Sequence, residues 1–409
     1  MLPGASAVIT RLLVGGFVVS SVATVSGQGA DASANAVFHM GPLAFTPTLS
    51  IPTFGLDSNV FNESTNPRKD FTANIQPEAQ AWLRFGPTRL EAKEQVNLLY
   101  FNKYASERAV NTSSSLKAEL LLLWGTPHAS VSFVKTNDRA DARIDTRAVN
   151  RSRPATVGID FRLSSSTSID VGADDNRISF DDKATFGATR LRTALDRNTR
   201  NYHAVLRYAV TPPTTFTVSV ARQEERFRYS SEQDSESVRV VPGIALAADA
   251  VVTGKMEVGW LSFKPRGATL RPFTGIVSNV DLGYVFLGLT RFQLAVSRDV
   301  TPSIDSVTTY ALQTGVTGTI THRVTERWDV NVSATHLRLD FGQVRVLSDT
   351  AASFDRADTV DTYGGGFGFY FNQGLRLGLR AESIRRASVL QAGRYDNLRI
   401  LSSISYARK

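Results

Sequence analysis

The stretch GFGFYFNQGLRLGLRAES, Gly366 to Ser383, decides how the rest of the chain is read. Phe367, Phe369 and Phe371 recur on every second residue, and after Asn372-Gln373-Gly374 the same is true of Leu375, Leu377 and Leu379. Between them stand Gly366, Gly368 and Tyr370, then Arg376, Gly378 and Arg380. A period of two is that of a β-strand, whose successive side chains point to opposite faces. One face is wholly apolar and the other carries glycine and arginine. Two such strands joined by a tight turn call for oil on one side and water on the other.

The same alternation runs through the chain. Val157, Ile159 and Phe161 alternate with Gly158, Asp160 and Arg162, and Ile169 and Val171 with Asp170 and Gly172. Val280, Leu282, Tyr284 and Phe286, then Phe292, Leu294 and Val296, repeat it, and Leu116, Ala118, Leu120, Leu122 and Trp124 share a face. One segment breaks step: Val330, Val332 and Ala334 lie on one parity, and Leu337, Leu339 and Phe341 on the other. A β-bulge near Thr335-His336 would reconcile them.

Connections alternate in length. Short turns are expected at Gly86-Pro87, Gly125-Thr126-Pro127, Ser164-Ser165-Ser166, Pro212-Pro213, Gly288 and Asn372-Gln373-Gly374, and longer polar links near 56–70, 138–152, 181–198 and 342–360. Counted through, this gives about 18 antiparallel strands, with 16 as the alternative, and short turns at one end with longer loops at the other. The fold class is therefore all-β, a transmembrane antiparallel β-barrel with short periplasmic turns and longer extracellular loops. A closed barrel pairs every backbone N–H and C=O without water, which hydrocarbon demands. A propeller, at four short strands per ~40–45 residues, does not fit this spacing.

Aromatic residues cluster at both strand ends. Phe85, Trp124, Tyr208, Phe216, Phe286, Phe292, Trp328, Phe371 and Tyr406 lie close to the short turns. Tyr100, Phe133, Phe180, Phe227, Phe263, Tyr310, Phe341 and Tyr363 lie near the long loops. Two such bands are expected to form interfacial girdles at the headgroup level.

The chain has 409 residues, 42% of them hydrophobic, and no run reaches the ~20 apolar residues of a membrane-crossing helix. Arg11 followed by Leu12 to Val19 and then small residues through Gly27 matches a secretory signal peptide over residues 1–27. Residues 28–42 are expected to form a periplasmic N-terminal segment, and 43–409 the barrel. Cysteine is absent, which removes thiol catalysis and cysteine metal sites. The net charge of +8 favours anionic partners, and no nucleic-acid motif is present.

No local motif supports catalysis, so no enzyme activity, cofactor or metal is expected. The five histidines, His39, His128, His203, His322 and His336, stand far apart in sequence, although barrel neighbours can also be distant in sequence. Asp174-Asp175-Asn176 with Asp181-Asp182 could supply oxygen ligands to calcium, but a solvated loop is the plainer reading. The informative charges are those opposite the apolar faces. Arg84, Arg89, Lys93, Arg207, Arg376 and Arg380 are expected to line the lumen. Such side chains either guide an anionic solute or pair across neighbouring strands and brace the wall. Trp82 and Tyr370 could offer aromatic faces to sugar.

Two segments carry a resemblance. Gly55, Asp57, Asn59, Val60 and Phe61 form a GxDxNVF-like turn, and Arg291, Val296, Ser297, Arg298 and Val300 a late R-x-x-x-x-V-S-R-x-V strand. With them the chain resembles the Putative beta-barrel porin 2 family of outer-membrane proteins. Outer-membrane barrels usually end in an aromatic residue; here Tyr406 is followed by Ala407-Arg408-Lys409. The resemblance implies a place in the outer membrane of a Gram-negative-type bacterium and passive passage of a polymer, an exopolysaccharide, through a polar, net-basic lumen. It also implies contact with outer-membrane lipid and with periplasmic export machinery. The alternatives are a general or anion-preferring porin for small solutes, and a non-transporting barrel that binds a surface partner.

Overall fold

A computed structural model describes Ser33 and residues 36–139, 146–187, 189–267, 271–302, 310–345, 353–371 and 374–406. The leader expected over residues 1–27 lies outside the described residues. Eighteen antiparallel strands close into a barrel. They are β1 (Leu43–Asp57), β2 (Asp70–Phe85), β3 (Thr88–Phe101), β4 (Ala109–Leu120), β5 (Gly125–Arg139) and β6 (Arg147–Arg162). There follow β7 (Thr167–Phe180), β8 (Arg197–Thr211), β9 (Thr214–Phe227), β10 (Ser235–Leu246), β11 (Val252–Pro265) and β12 (Phe273–Phe286). The last six are β13 (Thr290–Pro302), β14 (Tyr310–Arg323), β15 (Trp328–Arg345), β16 (Ser353–Tyr370), β17 (Leu375–Ala387) and β18 (Tyr395–Tyr406).

Each strand pairs with its sequence neighbours, and β1 pairs with β18 to complete the ring. That seam runs only from Ile51↔Ile404 to Asp57↔Arg399. Below it, β1 is paired instead by a short strand, Phe38–Met40, turning back at Gly41. Part of the expected periplasmic segment is thus built into the wall. One extra residue of β1 sits between Ser50 and Thr53. Pro52 lies in this bulge, where its missing N–H costs the ladder little.

Register assigns the two faces. Leu43, Phe45 and Leu49 of β1 share one side with Leu83 and Phe85 of β2, Leu90 and Leu98 of β3, and Leu116 and Leu120 of β4. The same side carries Val157, Val171, Leu206, Val220, Val240, Trp260, Ile276 and Leu294, all of them exposed. This is the lipid face. Glu94 interrupts it: register places it outward on β3 between Ala79 and Ser114, with Leu90 and Ala92 on one side along the strand and Val96 and Leu98 on the other. It has no hydrogen bond or ion pair among the described residues.

The expected bulge at Thr335-His336 is not there. β15 pairs without interruption from Arg323↔Asp329 to Leu312↔Asp340, and the irregularity falls later, between Asp340 and Gly342. The apolar residues change sides because the surroundings do. Val330 and Val332 face outward and are exposed, whereas Leu337, Leu339 and Phe341 face inward and are buried. Beyond the lipid belt the outer surface meets water, so His336 and Arg338 face out and the apolar side chains pack inside. The same inversion explains why the link expected at 342–360 is largely strand: β15 reaches Arg345 and β16 begins at Ser353. At the turn end, Gly125 opens β5 and the turn falls earlier, at Leu121 to Trp124, where the Trp124 ring lies tilted against Phe161 at 6.0 Å between centroids.

Replacing Glu94 by Leu removes a carboxylate from the lipid face. It is expected to stabilise the barrel by roughly 1 kcal/mol, less than the ~2–4 kcal/mol of a midplane arginine. Reversible denaturant unfolding in lipid vesicles measures this, and a destabilised variant would contradict the assignment of that face.

Candidate functional site

All six cations expected in the lumen fall on the inward parity, and most are held by partners. Lys93 reaches Glu78 on β2 at 2.8 Å. Arg207 donates to Asp160 at 2.7 Å across β7. Arg84 and Arg89 stand directly opposite each other beside the Gly86-Pro87 turn. Arg376 of β17 donates two hydrogen bonds, 2.7 and 2.6 Å, to Asp329 of β15. Arg380 reaches Ser333 of β15 at 2.6 Å and Glu382 at 2.8 Å.

The Arg376–Asp329 and Arg380–Ser333 contacts cross an entire strand, and glycine makes that possible. A Cβ on Gly368 of β16 would collide with the Arg376 guanidinium, and one on Gly364 would lie 2.5 Å from Arg380 Nη2. The guanidinium groups therefore lie flat over bare backbone. Tyr370 borders the same site, its ring 5.8 Å from both Arg323 and Arg376. Trp82 also faces inward, on the parity of Gln80 and Arg84.

A second wall site was not legible as a unit in the sequence. His128 of β5, Gly158, Gly172 and His203 of β8 form one row across four strands. The two imidazoles lie over the two glycines, where a Cβ on Gly158 or Gly172 would sit 2.7 or 2.8 Å from a ring nitrogen. Both point at Asp170. His203 Nε2 is 3.2 Å from it and His128 Nε2 3.7 Å. His203 Nδ1 lies 3.2 Å from Asp174, which also accepts from Thr156 and Asn201. Asp160 stands opposite Asp170 in register and takes Arg207. The carboxylates are matched by cations and donors, as a low-dielectric wall requires. Asp174 and Asp175 point to opposite faces, so the acidic run beginning there does not converge on an ion. The lumen wall is thus mixed in sign and largely paired, rather than carrying the net-basic lining expected of it.

Toward the loop end the inner surface turns apolar. The β7–β8 connection holds a small hairpin, Thr185–Phe186 with Thr189–Arg190, and a one-turn helix, Leu191–Leu195. Leu191, Ala194 and Leu195 pack on Ala148, Ile178 and Phe180 of the inner wall. Asp196 fastens the segment by accepting the Phe180 N–H at 2.7 Å, and burial holds its carboxyl above the ordinary range. Further round, β12 and β13 stay paired only up to Ser278↔Arg298. Above that point Val300, Tyr310 and Leu312 pack with Leu261, Phe263, Phe273 and Val277 on the inner face of β11 and β12. The loop-side ends of β13 and β14 therefore lean across the inside of the wall.

The aromatic residues expected near the short turns, Phe85, Trp124, Tyr208, Phe216, Phe286, Phe292, Trp328, Phe371 and Tyr406, are all exposed there. The upper band divides. Tyr100, Phe133 and Tyr363 are exposed, but Phe180, Phe227, Phe263 and Phe341 are buried, and Phe180, Phe263 and Phe341 belong to inward apolar clusters.

The model of the family described as Putative beta-barrel porin 2 matches residues 38–408. The chain belongs to that family. No curated protein matches it in sequence. Among solved structures, the chain is similar to a BenF-like porin from Pseudomonas fluorescens Pf-5, with 11% identity over 89% of this chain and 99% of that one and a TM-score of 0.49. It is also similar to OccK3 (OpdO) of Pseudomonas aeruginosa, with 11% identity over 88% and 94% and a TM-score of 0.47. The siderophore receptor PiuA of Acinetobacter baumannii matches with 11% identity over 90% and 82% and a TM-score of 0.48. This chain is an outer-membrane β-barrel of porin type.

The residues that carry the likeness to beta-barrel porin 2 have structural tasks. Asn59 is fully buried at the loop end of the seam. Its side chain donates to the carbonyls of Glu63 and Asp396 at 2.8 and 3.1 Å and accepts the Glu63 N–H at 2.9 Å. Asp57 takes Arg399 of β18 at 2.9 Å, and Asn397 donates to the Asn59 carbonyl at 3.2 Å. Phe61 lies under the Arg68 guanidinium at 3.8 Å. Gly55 lies so close to β18 that a Cβ would strike the Ile400 carbonyl. Arg298, where β12 and β13 part, donates to the Ile276 carbonyl at 3.1 Å and to Thr314 at 3.2 Å, satisfying an acceptor that the ladder releases.

In this porin, Gly368→Val places a branched side chain where Arg376 lies. The arginine is expected to swing into the lumen, lowering single-channel conductance and leaving the Asp329 carboxylate unpaired, with a loss of about 3–5 kcal/mol of stability. Unchanged conductance and unchanged unfolding would show that the guanidinium does not need the bare strand. Gly55→Ala is expected to weaken the seam by ~1–3 kcal/mol, the usual penalty of overpacking, read as a lowered thermal midpoint in detergent.

Proposed function

We propose that this chain is a passive diffusion channel of the outer membrane for small hydrophilic solutes, with anions favoured at its periplasmic mouth. Eighteen strands enclose a bore wide enough for an aqueous path. The polar inner wall suits solutes that exchange hydration for hydroxyls, amides and ion-pair edges. The observation that carries the small-solute reading is the apolar packing on the inner wall at the loop end, from the β7–β8 segment and from the loop-side ends of β13 and β14. Both narrow the extracellular side.

Anion preference is supported at the opposite end. Arg84, Arg89, Arg162, Arg291 and Arg323 all face inward beside the short turns. Charge near a mouth raises the local concentration of counter-charged solute. Export of a polysaccharide is supported by the resemblance alone. A polymer needs a bore that stays open along its length, and the inward-packed segment works against that.

Purified protein in a planar bilayer is expected to give steady ohmic steps with a modest anion preference. Arg84→Gln with Arg89→Gln should reduce that preference. Replacing residues 182–195 with a short Gly-Ser link should raise the unit conductance. A barrel that never conducts would instead be a surface-binding protein, and passage of long dextrans by the unaltered protein in vesicle-swelling assays would restore the polymer reading.

A further inference from the structure

Four cations meet on the outer surface of β5, β6 and β7, and no anion among the described residues pairs with them. Lys135 stands directly opposite Arg151, and Arg153 directly opposite Arg177. Arg151 and Arg153 lie two residues apart on one strand and so share the outward face. All four are exposed, and none has a hydrogen bond or ion pair among the described residues. Side chains opposite each other on adjacent strands have Cβ atoms ~5 Å apart, a distance at which like charges destabilise the pair. Among the described residues one outward acid is close by, Asp175, and it is taken by Arg200 at 3.2 Å and Asn198 at 3.0 Å. Most cations in this wall are answered by an acid, as Arg200 is by Asp175 and Arg207 by Asp160, so a basic block without such pairs stands out.

Its level in the wall says what could match it. Immediately toward the short turns, the same face carries Val131, Phe133, Val157 and Val171, all apolar. The block therefore sits at the upper border of the lipid belt, on the long-loop side. A ligand that reaches it must carry negative charge at headgroup depth and apolar chains beneath. Arginine favours phosphate, which it can grip through two parallel hydrogen bonds.

We infer that Lys135, Arg151, Arg153 and Arg177 form a binding site for the phosphate groups of an acylated, phosphorylated glycolipid in the outer leaflet. The chains of that lipid lie along Phe133 and Val157, and its phosphates bridge the two facing cation pairs. The inference rests on the orientation of the barrel in the outer membrane and is independent of the solute the channel passes.

The full chain, purified in detergent, is titrated with bis-phosphorylated lipid A, with its dephosphorylated form and with phosphatidylglycerol, and retained lipid is read by native mass spectrometry. The wild-type protein is expected to hold bis-phosphorylated lipid A roughly tenfold or more tightly than the other two, and increasing salt should narrow the gap. Arg151→Gln, Arg153→Gln and Arg177→Gln together should abolish the preference, and Arg385→Gln, an outward arginine on β17, should leave it intact. Conductance of the triple variant should match wild type, which separates failure of this site from failure of the channel reading. Equal retention of phosphorylated and dephosphorylated lipid by the wild type would overturn the proposal, with no variant needed. Equal retention of phosphatidylglycerol, or full displacement by millimolar inorganic phosphate, would overturn the glycolipid assignment.

Discussion

A wall standing in hydrocarbon must pair every backbone donor and acceptor with another part of itself. For this chain the requirement is met when the first strand finds the last, and the neighbouring strands depend on that meeting. The seam is short, from Ile51 to Asp57 on the β1 side, and it is reinforced where it would fray. At the loop end, Asp57, Asn59, Asn397 and Arg399 tie β1 to β18 through side chains. At the turn end, Phe38–Met40 pairs with Leu43–Phe45 of β1 instead. The glycine-aspartate-asparagine signature near the start of the chain is thus the closure of the ring, placed far in sequence from the segment it closes on.

The second constraint is that a cross-section of the barrel passes through two media. Within the belt, apolar side chains face out and charges face in. Above it the preference reverses, as β15 shows: Val332 faces lipid and Leu339, seven residues on, is buried inside. No backbone irregularity is needed, because parity stays constant and only the surroundings change. The reversal also gives the inner surface its apolar clusters, on which a loop segment and the loop-side ends of β13 and β14 settle. Inside the belt, the charges are stabilised by matching. The His128–Asp170–His203 row and the Arg376–Asp329 pair each span more than adjacent strands, and each does so over glycine.

Much of the fold was legible because period two and turn spacing are local signals. The alternation from Gly366 to Ser383 gave both faces of β16 and β17, and the rhythm of links gave the strand number. What sequence could not show was how strands distant along the chain combine. Gly364 and Gly368 read as thinning of the wall, yet their use becomes apparent only once Arg376 and Arg380 are seen lying across them. His128 and His203 are separated by three turns of the chain path and share a carboxylate through register alone. Phe263 and Phe341 were expected among the lipid-facing aromatics because position along a strand is readable, whereas the height at which oil gives way to water is not. The turn after β4 was displaced for a related reason: Gly125 looks like a turn residue, but it serves where β5 passes close to the Asp160 carbonyl.

The flat-lying arginines also bear on how such a tube can diverge between relatives. Barrel circumference is fixed by the number of strands and their stagger, and changing it means adding or losing whole hairpins. Local bore is another matter when a guanidinium rests on bare backbone. Exchange of a single glycine for any larger residue lifts the arginine off the wall and into the stream, without touching the ladder. Permeability can then evolve in single-codon steps while the scaffold stays the same.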